Sequence, residues 1–188
     1  MRRALTLVLL LGAACDRGGL SVRERAAPSA SVITIGVGPA TCSDLSACER
    51  ECDAGSADGC RKLGATYAFG QGIEKDQVRA TELYERACDL HDPSACVFAG
   101  QMNEYGHGVA KDAAKAARFY ERACDMKWAA GCYNLAIMYE RGSGVLEDRR
   151  KAGDLYQLTC TAGAQESCAK ARALREGGDR RLLEGGVP

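Results

Sequence analysis

Eleven cysteines carry most of the reactive chemistry in this 188-residue chain, and eight of them follow a spacing rule. Cys52, Cys88, Cys124 and Cys160 stand 36 residues apart, and Cys60, Cys96, Cys132 and Cys168 follow them in the same order, each eight residues on. Thiols bind metals, exchange electrons or crosslink, and spacing separates these uses. No Cys-x-x-Cys occurs, so a thioredoxin-like redox centre is not indicated. The only histidines, His91 and His107, fall in no ligand-spaced motif, and no metal or other cofactor is called for. Four repeats of one seven-residue gap point instead to disulfides.

Nucleophilic chemistry has one candidate. Ser167 and Lys170 match Ser-x-x-Lys, the first signature of serine β-lactamases, but the Ser-Asp-Asn and Lys-Thr-Gly partners are absent. Ser167 also adjoins Cys168, so no catalytic residue is assigned. Twenty-five basic residues balance 25 acidic ones, and no basic field favours nucleic acid.

Cysteine-dense chains belong in oxidising compartments, and the amino terminus is built for export. Residues 1–3 are basic, 4–11 are apolar but too short to span a bilayer, and 12–14 are small, which reads as a signal peptide over residues 1–14. Cys15 follows at once. Its placement resembles the lipobox of bacterial lipoproteins, although Gly12 stands where Leu is usual and Leu11 lies one step back. Lipidation of Cys15 would anchor the chain to a membrane facing the periplasm or the cell surface; plain secretory cleavage, leaving a free thiol, is the alternative. Residues 15–41 are rich in Ala, Gly, Ser and Pro and read as a flexible linker, within which 32–37 (VITIGV) is either extended linker or a short interaction segment.

The elements that position the cysteines share their period. LYERACD at 83–89 becomes FYERACD at 119–125 and LYQLTCT at 155–161, and glycine pairs recur at Gly70 and Gly72, Gly106 and Gly108, Gly142 and Gly144. Such a period marks a stacked array of supersecondary units. In each unit the segment from the second cysteine (60–69, 96–105, 132–141) has helical spacing, with that cysteine in the helix's first turn, and stops at Gly-x-Gly, which here follows a helix and is a turn, not a phosphate cradle. Asp76, Asp112 and Asp148 cap a second helix. Its buried stripe is Ala80, Leu83, Tyr84, Ala87 and Cys88, then Ala116, Phe119, Tyr120, Ala123 and Cys124. Asp92 and Pro93 provide a cap and first residue for the following helix, whereas Trp128 takes the cap position one repeat later, either as an exposed contact or as a cover for the neighbouring bridge.

The period also selects the pairing. Each cysteine ending a helix is expected to bond to the one eight residues on, giving 52–60, 88–96, 124–132 and 160–168. Pairing across a repeat, such as Cys88 with Cys124, would need Cα atoms within about 7 Å, whereas packed helix axes lie roughly 8–10 Å apart. Cys42 and Cys48 remain; Cys48 falls on the inward aromatic register of Tyr84, Tyr120 and Tyr156, so a 42–48 bridge is expected to complete an amino-terminal cap. The expected organisation is a cap helix over 42–59, about three repeats and a terminal half-repeat over 60–176, and a cap or tail over 177–188, with Gly177 and Gly178 interrupting the last helix.

These motifs together resemble the cysteine-rich Sel-one-like repeat proteins of the Hcp family, relatives of tetratricopeptide repeats. The resemblance covers residues 52–168 and implies an all-α, right-handed superhelix of antiparallel helix pairs stapled by disulfides, with a concave binding face. Members described as penicillin-binding proteins or weak β-lactamases make a hydrolase the alternative to a binding module. On the first helices, Lys62, Thr66 and Phe69, then Phe98, Met102 and Tyr105, then Asn134, Met138 and Arg141 fall on one stripe. By resemblance that stripe lines the groove, and its mix of groups suits an extended protein or peptide ligand. Packing between units is the competing role for Phe98 and Met102. The chain is read as a monomeric adaptor at the cell envelope.

Overall fold

The computed structural model describes residues 41–184, with side chains described through Glu176. The predicted signal peptide over residues 1–14, Cys15, the VITIGV segment and residues 185–188 lie outside it.

Eight α-helices follow one another: α1 (Leu45–Asp53), α2 (Ala57–Phe69), α3 (Gln77–Asp89), α4 (Pro93–Tyr105), α5 (Ala113–Asp125), α6 (Ala129–Arg141), α7 (Arg149–Thr161) and α8 (Gln165–Glu184). The six from α2 to α7 are all 13 residues long and keep the 36-residue step. Each packs on its neighbours in sequence, and α4 also touches α6 across one repeat. The architecture is the all-α superhelix of antiparallel helix pairs that the resemblance implies.

Local chemistry sets the ends. The carboxylates of Asp76, Asp112 and Asp148 accept the backbone N–H three residues on at 2.9, 2.8 and 2.9 Å, satisfying amides that a helix start leaves open. Asp92 does the same for α4, with Pro93 as its first residue. Trp128 precedes α6 without a side-chain cap bond and is 41% exposed. The first helices start three residues before the second cysteine of each pair, which therefore lies in the first turn as expected, and end at left-handed Gly70, Gly106 and Gly142.

The interior is narrow. Ala80, Ala87, Ala116, Ala123 and Ala152 have no exposed surface, and Tyr84, Tyr120 and Tyr156 are the large groups between them. Tyr120 and Tyr156 donate to Glu104 and Glu140 at 2.6 and 2.7 Å, while Tyr84 stacks on Phe98 with ring centroids 5.0 Å apart. Burial pushes all three phenols above the ordinary tyrosine value.

The terminal helix differs from expectation. Helix α8 runs through Gly177 and Gly178 to Glu184 and is not interrupted there. A helical glycine costs only about 1 kcal/mol relative to alanine, against roughly 3 for proline, so a glycine pair without a proline is a weak stop.

The second glycine of each turn has a role beyond ending a helix. A Cβ on Gly108 would lie 2.2 Å from the backbone of Gln77, and one on Gly144 2.3 Å from that of Ala113, whereas Gly72, with no preceding unit beside it, meets nothing within 4 Å. All three have positive φ. Gly72→Ala and Gly108→Ala therefore share a left-handed strain of about 1–2 kcal/mol, and only Gly108→Ala adds a backbone clash of similar or larger size. Thermal melts are expected to show the greater loss for Gly108→Ala; equal losses would contradict the inter-repeat contact. Alkaline stability supplies a second check. The buried phenols ionise more readily in the unfolded chain, so stability holds below about pH 10 and falls as pH rises beyond it. Unfolding is expected to accompany tyrosinate formation in these three residues; ionisation with the helices intact would contradict their placement.

Candidate functional site

The repeat corners are the most uniformly built feature. Five disulfides join Cys42–Cys48, Cys52–Cys60, Cys88–Cys96, Cys124–Cys132 and Cys160–Cys168, the pairing that the period selects. The four corner bridges hold Cα atoms 4.4–4.8 Å apart. Within each corner a residue with positive φ turns the chain: Gly55, His91, Lys127 and Gly163. Its N–H donates to the carbonyl of the first cysteine at 2.8–3.0 Å. These cysteines are structural: six of the eight corner half-cystines, all but Cys160 and Cys168, are at most 7% exposed, and none is free to react as a thiol.

The first-helix stripe divides by depth. Phe69, Tyr105 and Arg141, one step apart at the ends of α2, α4 and α6, are exposed, the first two to 57% and 49%. Lys62 and Phe98 are half-buried. Thr66, Met102, Asn134 and Met138 are buried, so helical spacing places them on the stripe while inter-repeat packing removes them from any surface. Thr66 shows how: its hydroxyl accepts the N–H of Cys42 at 2.9 Å, so the amino-terminal cap lies across it. Asn134 stands where the preceding unit has Phe98, and its amide nitrogen has no hydrogen-bond partner. The accessible surface is therefore a row along the helix ends, with Tyr105 and His107 rings 5.9 Å apart beside it.

Ionic contacts knit the units. Arg61 on α2 bonds Asp92, the cap of α4, at 3.0 Å, and also pairs with Asp58. Lys62 takes the second oxygen of Asp58, and these contacts hold the Asp58 carboxyl below the usual range, with the Lys62 contact the largest influence.

The Ser-x-x-Lys match does not form a catalytic pair. Ser167 is completely buried, and its hydroxyl lacks a hydrogen-bond partner. Lys170 faces the rings of Tyr133 and Tyr156 at 5.1 Å, with Glu166 3.7 Å from its ammonium. A nucleophile needs a base within hydrogen-bond reach and a path to substrate, and this geometry supports no hydrolase. The equivalent corner position holds Ala95 one repeat pair earlier. Ser167→Ala should thus leave the melting midpoint unchanged or raise it, because a buried unpaired hydroxyl costs about 1–3 kcal/mol; a clear drop would show that the hydroxyl has a partner after all.

The comparisons with known proteins agree with this architecture. A Sel1 repeat profile matches residues 57–92, 93–127 and 129–163, which correspond to the units α2–α3, α4–α5 and α6–α7. Among solved structures, c5321, a protective antigen of uropathogenic Escherichia coli displaying an SLR fold, superposes with a TM-score of 0.69 at 25% identity over 71% of this chain; the chain spans 29% of that protein. A Sel1 repeat protein from Oxalobacter formigenes gives 0.63 at 28% identity, covering 69% of this chain and 98% of its own. Helicobacter pylori cysteine rich protein B gives 0.53 at 26% identity, covering 66% and 90%. No curated protein sequence matches. With three consecutive units matched over more than half its length, and with the helix pairs in register with those matches, the chain belongs to the Sel1 repeat family.

Proposed function

We propose that this protein is an exported adaptor that binds protein or peptide partners along the ends of its first helices. The observation that carries the reading is the row Phe69, Tyr105 and Arg141: two large aromatic groups and a guanidinium left exposed at a constant step while their neighbours on the same stripe are buried. Aromatic residues and arginine are the groups that most often anchor protein interfaces, and a periodic row suits an extended segment. By resemblance this is the concave side of the superhelix. Lys62 and Phe98 flank the row, whereas the buried Thr66, Met102, Asn134 and Met138 support it from beneath. Five disulfides favour an oxidising compartment, consistent with the export leader.

Anchoring through Cys15 completes the reading: lipidation would hold the domain at a membrane of the cell envelope on the linker of residues 15–41. A single acyl chain holds a protein only weakly, so a stably anchored form would carry more than one.

A photo-crosslinker at position 105 is expected to capture a defined partner from envelope extracts. Phe69→Ala, Tyr105→Ala and Arg141→Ala together should abolish that capture with the melting curve unchanged, and capture that persists in this variant would remove the row from the binding surface. Cys15→Ser should move the protein from the membrane to the soluble fraction; an unmodified Cys15 at the mature amino terminus of a soluble wild type would rule out the anchor.

A further inference from the structure

The third seam between second helices lacks a part that the first two contain. Arg86 on α3 reaches back to the preceding corner, donating from Nη1 to Asp53 at 3.2 Å and from Nη2 to the carbonyl of Cys52 at 2.9 Å. Arg122 on α5 repeats this one unit along, to Asp89 at 2.8 Å and to the Cys88 carbonyl at 3.0 Å. Each of these carbonyls already accepts the N–H of the turning residue, so the guanidinium takes its second lone pair. The next corner offers the same acceptors, Asp125 and the carbonyl of Cys124, which accepts the Lys127 N–H at 2.8 Å. The residue in register to reach them is Leu158, a shorter side chain with no donor. A cavity of about 500 Å³ lies there, lined by Cys124, Asp125 and Leu158 among others.

We propose that this seam receives an arginine side chain presented by a protein partner. The chain itself twice seats a guanidinium on this acceptor pair, which defines the ligand more closely than a group of carboxylates alone would. The two acceptors suit a planar fork of N–H donors better than the point charge of an ammonium. Apolar groups line the path of the methylene stem: Leu155 replaces Phe119, over whose ring Arg122 lies at 6.0 Å, and Leu135 and the Tyr139 ring complete the wall.

Charge agrees. In the preceding seam Glu85 is occupied by Lys115 at 2.6 Å and by Asn103 at 3.1 Å. Here Tyr139 stands in place of Asn103, and Lys151, the counterpart of Lys115, lies 5.2 Å over the Tyr139 ring. Among the described residues no ion pair joins Lys151 to Glu121, and Asp125 and Asp154 add two further carboxylates to the lining. One ammonium thus faces three acids. The seam shares no residue with the row Phe69, Tyr105 and Arg141, so the two surfaces stand or fall separately.

The test uses the disulfide-intact chain and Nα-acetyl-arginine amide, followed by two-dimensional NMR of the Cys124–Lys127 and Leu158 backbone signals. Saturable shifts confined to this seam are expected, with the citrulline analogue, which keeps the shape and loses the charge, weaker by roughly fivefold or more, and the lysine analogue intermediate. Leu158→Arg should fill the seam from within: the shifts disappear and the melting midpoint rises by about 2–5 °C. Asp125→Asn should weaken the response while leaving the midpoint near that of the wild type. Equal responses to arginine and citrulline, or arginine binding that persists in Leu158→Arg, would overturn the proposal. Binding of the lysine analogue as tight as that of arginine would overturn the assignment to a guanidinium.

Discussion

Every unit of this protein depends on the corner at which one second helix ends and the next first helix begins. There a disulfide, a residue with positive φ and a backbone hydrogen bond to the first cysteine's carbonyl act on the same few atoms. In the chain-entropy view each short bridge is worth roughly 2–3 kcal/mol. That is a substantial addition to what a pair of 13-residue helices gains from a narrow interior in which alanine is the commonest buried residue. Because the four corners are alike, the angle between successive helix pairs is alike, and the superhelix follows by repetition. Reduction would loosen every corner at once, and so dense a set of bridges favours an oxidising compartment.

An interior this uniform leaves function to the positions that break the period. Lys62, Phe98 and Asn134 occupy one register with three chemistries; Phe69, Tyr105 and Arg141 occupy another. On the opposite elements Arg86 and Arg122 give way to Leu158. These changes do not disturb the corners, so an array of this kind can vary its surfaces without refolding, which is how one repeat architecture serves different partners.

Much of this was legible before any coordinates, for identifiable reasons. Caps, stops and cysteine pairs are local: Asp76, Asp112 and Asp148 cap through bonds spanning three residues, and bridges over eight residues follow from spacing alone. Burial is not local. Thr66, Met102, Asn134 and Met138 lie on the predicted stripe yet are covered, because coverage depends on the adjoining unit and, for Thr66, on the amino-terminal cap. The second glycine of each turn was visible as a repeat, but its contact with the preceding unit's second helix was not. The missing arginine has a signal in the sequence: YERACD at 84–89 and 120–125 becomes YQLTCT at 156–161, and the change marks the seam where the cavity opens. The helical course through Gly177 and Gly178 reflects how weakly glycine alone ends a helix.

Peptide mapping without reduction tests the corner most directly. The account predicts five crosslinks in the mature, oxidised protein: 42–48, 52–60, 88–96, 124–132 and 160–168. A dominant bridge between repeats, such as Cys88 with Cys124, would contradict the pairing and with it the helix-pair geometry on which the fold and both proposed surfaces rest.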